Sequence, residues 1–308
     1  MKNQKIQIAI FAAAIILCAT GYINAPTALI GGFIFSWLVG HPFKEYNQKA
    51  TGLLLKISVV GLGFGMNVNA SLNASNDGLL LTIISISLTL VLGTLIGLSL
   101  KINKRASHLI ASGTAICGGS AIAAVAPVVN ATEKEISVSL ATIFFLNSVA
   151  LLIFPPIGQY FELTQYQFGL WSAIAIHDTS SVVGAASAYG HEALLIATTV
   201  KLARALWIIP VALLSAFIFK SEKKKVNIPW FIGFFVIAML INSYFPQLAS
   251  INSGIVTVSK IGLVITLFLI GAGLTIEKLR SIGVKPLLLG IILWIFISVL
   301  SLLAVFQL

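Results

Sequence analysis

Eleven apolar runs, each about long enough to cross a lipid bilayer, follow one another along this chain and restrict its fold. A spanning helix needs roughly 20 mostly apolar residues, and its backbone must satisfy its own hydrogen bonds within the lipid. Barrel strands would instead alternate apolar and polar residues, and these runs do not. We predict an all-α polytopic membrane protein with about 11 hydrophobic segments. Segments 1 to 11 cover residues 6–23, 25–40, 51–69, 78–100, 106–129, 135–157, 167–189, 192–219, 229–246, 254–276 and 286–307.

The composition excludes several classes of protein. The chain is 58% hydrophobic and 9% charged, whereas soluble domains are about 25% charged. Cys18 and Cys117 lie too far apart in sequence, both in apolar segments, for a disulfide framework or a metal cluster. The chain has no phosphate loop, no HExxH and no CxxC. We expect no enzyme, no cofactor and no metal.

The basic residues indicate a topology. The formal net charge of +10 would suit nucleic acid, but most Lys and Arg lie in short loops between apolar runs. They occur in the N-terminus and in the 2–3, 4–5, 8–9 and 10–11 loops, which fall on one side. The positive-inside rule makes that side cytoplasmic. We expect a cytoplasmic N-terminus, a retained first helix, the lipid bilayer as partner and no nucleic acid.

Segment 5 contains a stretch that favours a broken helix, "GTAICGGSAIAAVAPVV" at 113–129. Each glycine weakens a helix by about 1 kcal/mol relative to Ala, so Gly118 and Gly119 predict a break. Free N–H groups at such a break, with the helix dipole behind them, suit an anion, and Ser120 adds a hydroxyl. The alternative is a tight helix crossing built from small residues.

Segment 7 holds a polar cluster in the middle of an apolar run. An ionised Asp178 in lipid must be paired, protonated or hydrated, which predicts a functional role. With His177 it would carry or sense a coupling proton, or with Thr179 it would help to hold Na⁺. The alternative is a polar contact between helices with no transport role. The cluster consists of His177, Asp178, Thr179, Ser180 and Ser181.

Cations outnumber acids in the interior of the segments. Lys201 and Arg204 are three residues apart in segment 8 and therefore share a helix face. Lys56 and Lys260 lie inside segments 3 and 10, where snorkelling to the membrane surface is an alternative. Each buried cation costs about 2.5–3.5 kcal/mol. Because Asp178 is the clear interior acid, the excess of positive charge predicts an anionic substrate.

Two internal similarities suggest duplication, which is common in transporters. At an offset of 60, residues 115–120 match residues 175–180, and at an offset of 208, residues 63–68 match residues 271–276. Segments 5 and 7 run in the same sense if both span the membrane. They are inverted if both are re-entrant hairpins, and the sequence leaves the two alternatives open.

The motifs "SGTAICGGSAIAAVAPVV" and "AIHDTSSVVGAA" resemble the YeiH-type family of bacterial inner-membrane proteins, named as sulfate exporters, over essentially the whole chain. The resemblance implies a prokaryotic plasma membrane and kinship with sodium–proton antiporters and bile-acid-type symporters. That group has two inverted repeats whose broken helices cross near the midplane. The implied organisation is one transporter domain (1–308) with an extra N-terminal helix (1–24), a first repeat (25–157) and a second repeat (167–307).

In that architecture segment 5 pairs with segment 10, where Gly271 and Gly273 would supply the second break. We expect this pairing, which makes the similarity between segments 5 and 7 a coincidence.

The predicted function is secondary transport of a small anion, sulfate or organosulfonate-like, by exchange or coupled to H⁺ or Na⁺. One alternative is a cation–proton antiporter with Asp178 as ion carrier, and another is a non-transporting membrane scaffold or receptor. The sequence leaves open whether the protein forms a homodimer. The predicted substrate-binding residues are Cys117, Gly118, Gly119, Ser120, Thr179, Ser180, Ser181, Lys201 and Arg204, the coupling residues are His177 and Asp178, and secondary candidates are Lys56, Asn67, Lys260, Gly271 and Gly273.

Overall fold

The computed structural model describes residues 2–23, 25–66, 68–219, 230–273 and 283–307, and every regular element in these ranges is a helix. The predicted all-α polytopic membrane fold is confirmed, since five helical stretches among the described residues are long and apolar enough to cross a membrane. The helices are α1 (Lys2–Ala19), α2 (Ala25–Leu38), α3 (Lys44–Leu62), α4 (Val68–Ser99), α5 (Lys104–Ala115), α6 (Gly119–Val125), α7 (Glu133–Tyr160), α8 (Gln165–Ala175), α9 (Thr179–Tyr189), α10 (His191–Ala205), α11 (Ile208–Ile218), α12 (Trp230–Tyr244), α13 (Ala249–Gly273) and α14 (Val284–Val305).

Local sequence explains where the central helices begin. Helices α7 and α8 both start with a capping box, in which a threonine and a residue three positions later satisfy each other's backbone N–H groups. The pairs are Thr132 with Glu135 and Thr164 with Gln167. These caps fix both helices at surface positions, so the apolar residues that follow enter the membrane.

Segment 7 folds back on itself as a re-entrant hairpin, hairpin 2, made of α8, residues 176–178 and α9. Its two ends lie together: the Tyr189 hydroxyl donates to the Leu163 carbonyl at 2.5 Å, and the Phe168 and Tyr189 rings stack at 3.8 Å. The Gln165 side chain also accepts from the Glu192 N–H at 3.0 Å. Each arm has 11 residues, about 16 Å, which is half of a hydrocarbon core of about 30 Å.

Segment 5 is a second re-entrant hairpin, hairpin 1, made of α5, residues 116–118 and α6. Helix α7 follows it and shows where the chain has returned. Ser139, near the start of α7, lies 3.4 Å from the Ala106 carbonyl at the start of α5. One turn further along α7, Ile143 packs at Gly113 and Gly118. Helix α7 therefore begins on the side of the membrane from which α5 entered.

The two hairpins enter from opposite sides. Helices α10 and α11 start beside the outer end of hairpin 2 and finish beside the outer end of hairpin 1. There His108 Nε2 lies 2.7 Å from the Ser215 hydroxyl, and the Lys104 ammonium sits 5.3 Å from the Phe219 ring centre. Of the two alternatives for segments 5 and 7, the structure has the re-entrant one. The matching stretches 115–120 and 175–180 are therefore inverted relative to each other.

Helix α13 does not contain the second break that the family architecture predicts. It runs unbroken through Gly271 and ends at Gly273, and residues 274–282 lie outside the described ranges. A Cβ on Gly271 would collide with the Leu29 carbonyl of α2, and one on Gly32 with the Phe268 carbonyl of α13. These glycines bring two helices into backbone contact. The expectation that Gly271 interrupts segment 10 is therefore wrong.

Candidate functional site

The tips of the two hairpins meet inside the protein. Tip 1 is residues 116–118 and tip 2 is residues 176–178. Gly118 has φ +65°, and a Cβ there would lie 3.3 Å from the Asp178 Cβ. Positive φ and a close neighbour both favour glycine. The predicted break at Gly118 is confirmed. The two matching stretches, 115–120 and 175–180, each begin with the last residue of a hairpin arm, Ala115 in α5 and Ala175 in α8.

Asn147 of α7 holds tip 2 in place. Its Oδ1 accepts from the backbone N–H groups of His177 and Asp178, both at 3.1 Å. The break frees these two donors from helical bonding, and a buried donor without a partner is costly. Sequence analysis missed Asn147, although a lone amide in the middle of segment 6 is a signal of the kind that marks functional positions in membranes.

Lys201 of α10 closes the end of the first arm of hairpin 2. Its ammonium donates to the carbonyls of Ile176 at 2.6 Å and Ala173 at 3.2 Å, and the side chain is fully buried. These carbonyls lie at the C-terminus of α8, where the helix dipole places partial negative charge. The cation therefore satisfies the carbonyls that the break leaves free.

Arg204 does the same for hairpin 1. Its Nε and Nη2 donate to the Ala115 carbonyl at 3.1 and 2.5 Å, at the C-terminus of α5, and Nη1 donates to the Ser85 hydroxyl at 3.0 Å. Lys201 and Arg204 thus share a face of α10 as predicted, and each serves one hairpin. Their role in binding substrate stays a prediction, and these donors are already occupied by protein oxygens.

Asp178 lies at the start of the second arm of hairpin 2. Its carboxylate accepts from the backbone N–H and the hydroxyl of Ser180, which makes it the N-cap of α9. A negative charge is favourable at that end of a helix. Asp178 is half-buried, whereas Thr179, Ser180 and Ser181 are buried. At the other tip Cys117 is buried, Gly119 is half-buried and Ser120 is exposed.

The secondary candidates are on other helices. Lys56 and Lys260 are half-buried on α3 and α13, which pack against each other where Gly61 meets Ser259. A Cβ added to Gly273 would lie 2.7 Å from the amide nitrogen of Asn47 in α3. Asn67 lies outside the described residues. The structure therefore brings the predicted substrate-binding and coupling residues together around the tips. The secondary candidates Lys56, Lys260, Gly271 and Gly273 lie on the surrounding helices.

Comparison with known proteins identifies the family of the chain, and the names of the relatives state no activity. A UPF0324 membrane protein of Shewanella oneidensis is 55% identical over 95% of this chain and 93% of its own length. Relatives with the same name in Bacteroides thetaiotaomicron and Geobacter sulfurreducens are 52% and 43% identical over 92% and 99% of this chain, and over 86% and 98% of their own lengths. No solved structure matches. The family model described as conserved hypothetical protein 698 matches residues 7–290, and the chain belongs to that family of UPF0324 membrane proteins.

Proposed function

We propose that this protein is a secondary transporter of a small anion, with its substrate site at the meeting point of the two hairpin tips. The observation that carries the proposal is the arrangement of two inverted re-entrant hairpins that meet tip to tip. Non-helical backbone at membrane depth is tolerated where it is buried in protein or lines a water-filled cavity, and in transporters it marks substrate sites. A scaffold or receptor has no need of such breaks.

The charge balance at the tips supports an anion. Lys201 and Arg204 contribute two positive charges, and Asp178 contributes one negative charge. The partial charges of the two arm ends and the two arm starts have opposite signs and largely cancel. Within the described part of the tips, the remaining charge is about +1, and a bound monovalent anion would neutralise it. A bound Na⁺ would instead raise an already positive balance.

The resemblance to proteins named as sulfate exporters agrees with this sign of charge. Small organosulfonates carry one negative charge and match this balance, and the resemblance adds sulfate, a dianion. Both are therefore the first substrates to test, driven by exchange or by an H⁺ or Na⁺ gradient. We place the protein in the bacterial inner membrane with a cytoplasmic N-terminus, on the strength of that resemblance and of the lysine and arginine distribution.

A cation–proton antiporter is the second candidate, and one observation favours it. The cations donate to backbone carbonyls, which is a structural task, and Asp178 is the charged side chain of the tips that is half-exposed. In that case Asp178 would carry the ion.

The Asp178→Asn variant separates the two functions. We expect sulfate or methanesulfonate to raise the Tm of the purified wild-type protein above its value in chloride at the same Na⁺ or Li⁺ concentration. Because Asp178→Asn removes a negative charge beside the site, the anion should bind no more weakly than to the wild type. Glu192→Gln, which removes an exposed acid at the start of α10, is the control.

Other outcomes would overturn the proposal. Stabilisation by Na⁺ or Li⁺ alone, abolished in Asp178→Asn, would establish the antiporter instead. A wild-type protein that responds to neither class of ion, and carries no labelled sulfate into proteoliposomes, would favour the scaffold.

A further inference from the structure

Three buried side chains, one in tip 2 and two beside it, carry polar atoms that have no hydrogen-bond partner among the described residues. They are Nδ2 of Asn147, both ring nitrogens of His177 and Nε1 of Trp294. The exposed fractions of these residues are 3%, 0% and 9%. A buried polar group without a partner costs about 1–3 kcal/mol, and native proteins keep few of them. Four such atoms in one region therefore require an explanation.

The three side chains converge from three elements. The Asn147 amide is fixed, because its Oδ1 already accepts from the backbone of tip 2, which leaves Nδ2 as the free group. The His177 ring centre lies 6.5 Å from that of Trp294, and Trp294 is held by stacking on Phe154 at 6.0 Å. The amide, the imidazole and the indole are therefore neighbours at tip 2, where α7 and α14 pack against it.

The chemistry of these groups selects an anion. The amide nitrogen and the indole nitrogen are donors only, and a neutral imidazole adds one further donor. Neither of these two nitrogens has a lone pair to give to a cation, and the second imidazole nitrogen is the one acceptor beside three donors. The Lys201 ammonium donates to the carbonyl of Ile176, directly before His177 in the chain, and its charge adds positive potential at the same place.

We propose that Asn147, His177 and Trp294 bind the oxyanion group of the transported anion, through the donors that the protein leaves unpaired. The inference rests on the proposed function and moves its substrate contacts away from Lys201 and Arg204, whose nitrogens donate to carbonyls and to Ser85. It adds two residues, Asn147 and Trp294, that do not belong to either hairpin.

Two variants remove one donor each and keep the surrounding structure. Trp294→Phe loses the N–H but keeps a ring to stack on Phe154. Asn147→Asp keeps the oxygen that accepts from tip 2 and replaces the NH₂ group by an oxygen. Its added negative charge also repels an anion, so Trp294→Phe is the variant that isolates the loss of a donor. Trp171→Phe is the matched control, because the Trp171 ring also stacks on Phe154, at 4.3 Å, while its N–H donates to the Ser298 carbonyl at 2.9 Å.

The measurement is the sulfate and methanesulfonate dependence of the Tm of the full-length protein in detergent. We expect Trp294→Phe and Asn147→Asp each to raise the anion dissociation constant about ten- to a hundredfold, as for loss of a charge-assisted hydrogen bond. Trp171→Phe should lower the Tm without anion and leave the dissociation constant unchanged.

The outcomes separate this inference from the proposed function. If the wild type binds the anion and Trp294→Phe and Asn147→Asp bind it equally tightly, the three-residue site is wrong while anion transport stands. If Trp171→Phe weakens binding as much as Trp294→Phe, the aromatic cluster acts only through packing and the inference is again wrong. If the wild type binds no anion, the proposed function itself fails.

Discussion

At the scale of single residues, two cations on α10 explain how a membrane protein tolerates two interrupted helices. An interrupted helix leaves carbonyls without hydrogen-bond donors, and the lipid interior has no water that could donate to them instead. Lys201 supplies donors for α8, and Arg204 supplies them for α5. A side chain whose charge is expensive in lipid is retained here because its donors and its sign both match the free end of a helix.

Lys201→Met tests this role, since it keeps an unbranched side chain and removes the ammonium. We expect the free energy of unfolding to fall by about 1–3 kcal/mol, because the Ile176 and Ala173 carbonyls lose their donor. Removing a desolvated charge offsets part of the loss. Thermal denaturation of the purified variant measures the effect, with Lys260→Met, a half-buried lysine of α13, as control. Equal stability of the two variants would show that the ammonium is not needed.

At the scale of elements, small residues decide which helices come close. Gly271 of α13 faces the Leu29 carbonyl of α2, and Gly32 of α2 faces the Phe268 carbonyl of α13. Backbone contact of this kind gains packing and weak polar interactions that larger side chains would prevent. The sequence displays these glycines, and one of them, Gly271, also suggested a break in segment 10 together with Gly273. Glycine serves both purposes, so composition alone does not separate them.

Gly271→Ala should show the cost of separating α2 from α13. The added methyl group collides with the Leu29 carbonyl, and such overpacking costs about 1–3 kcal/mol. Gly254→Ala, in the same helix, meets nothing within 4 Å and should stabilise the helix slightly. The Tm of the two purified variants decides the matter, and a Gly271→Ala protein as stable as Gly254→Ala would contradict the contact.

Hydropathy predicted the helical fold and most of its segments, but not the path of segments 5 and 7. A run that crosses the membrane and a run that enters and returns expose the same apolar residues to the same surroundings. The break in tip 1 was predicted because Gly118 and Gly119 stand together. The five polar residues of segment 7 predicted a functional role there, but not the break in tip 2. The two cations of α10 were also predicted as site residues, whereas Asn147 and Trp294 were missed because they reach tip 2 only through tertiary packing.

At the scale of the whole molecule, the opposite entry of the hairpins fixes which loops share a side. Helix α7 joins the outer end of hairpin 1 to the outer end of hairpin 2, so it crosses the membrane once between them. The loop before α7 therefore lies with the start of α5, and the loop after α7 lies on the other side. The positive-inside rule predicts that the first of these sides is cytoplasmic.

Single cysteines test this arrangement, in a background without Cys18 and Cys117, which are buried. We expect Lys104→Cys and Lys134→Cys to react with a membrane-impermeant maleimide from the cytoplasmic side, and Glu162→Cys from the outside. All three should react after permeabilisation, because the three positions are exposed. Labelling of position 134 together with position 162 would mean that segment 5 spans the membrane.

The one-turn separation of Lys201 and Arg204 has a mechanical consequence. One rigid helix is bonded to a hairpin that enters from each side, so neither tip can withdraw alone without stripping carbonyls of their donors. The two tips and α10 are therefore expected to shift as a single body, and access from the two membrane faces would alternate through motion of that body against its neighbours. A movement that opens the site to one membrane face would then close it to the other, because α10 couples the two tips. No additional element would be needed to prevent both faces from opening at once.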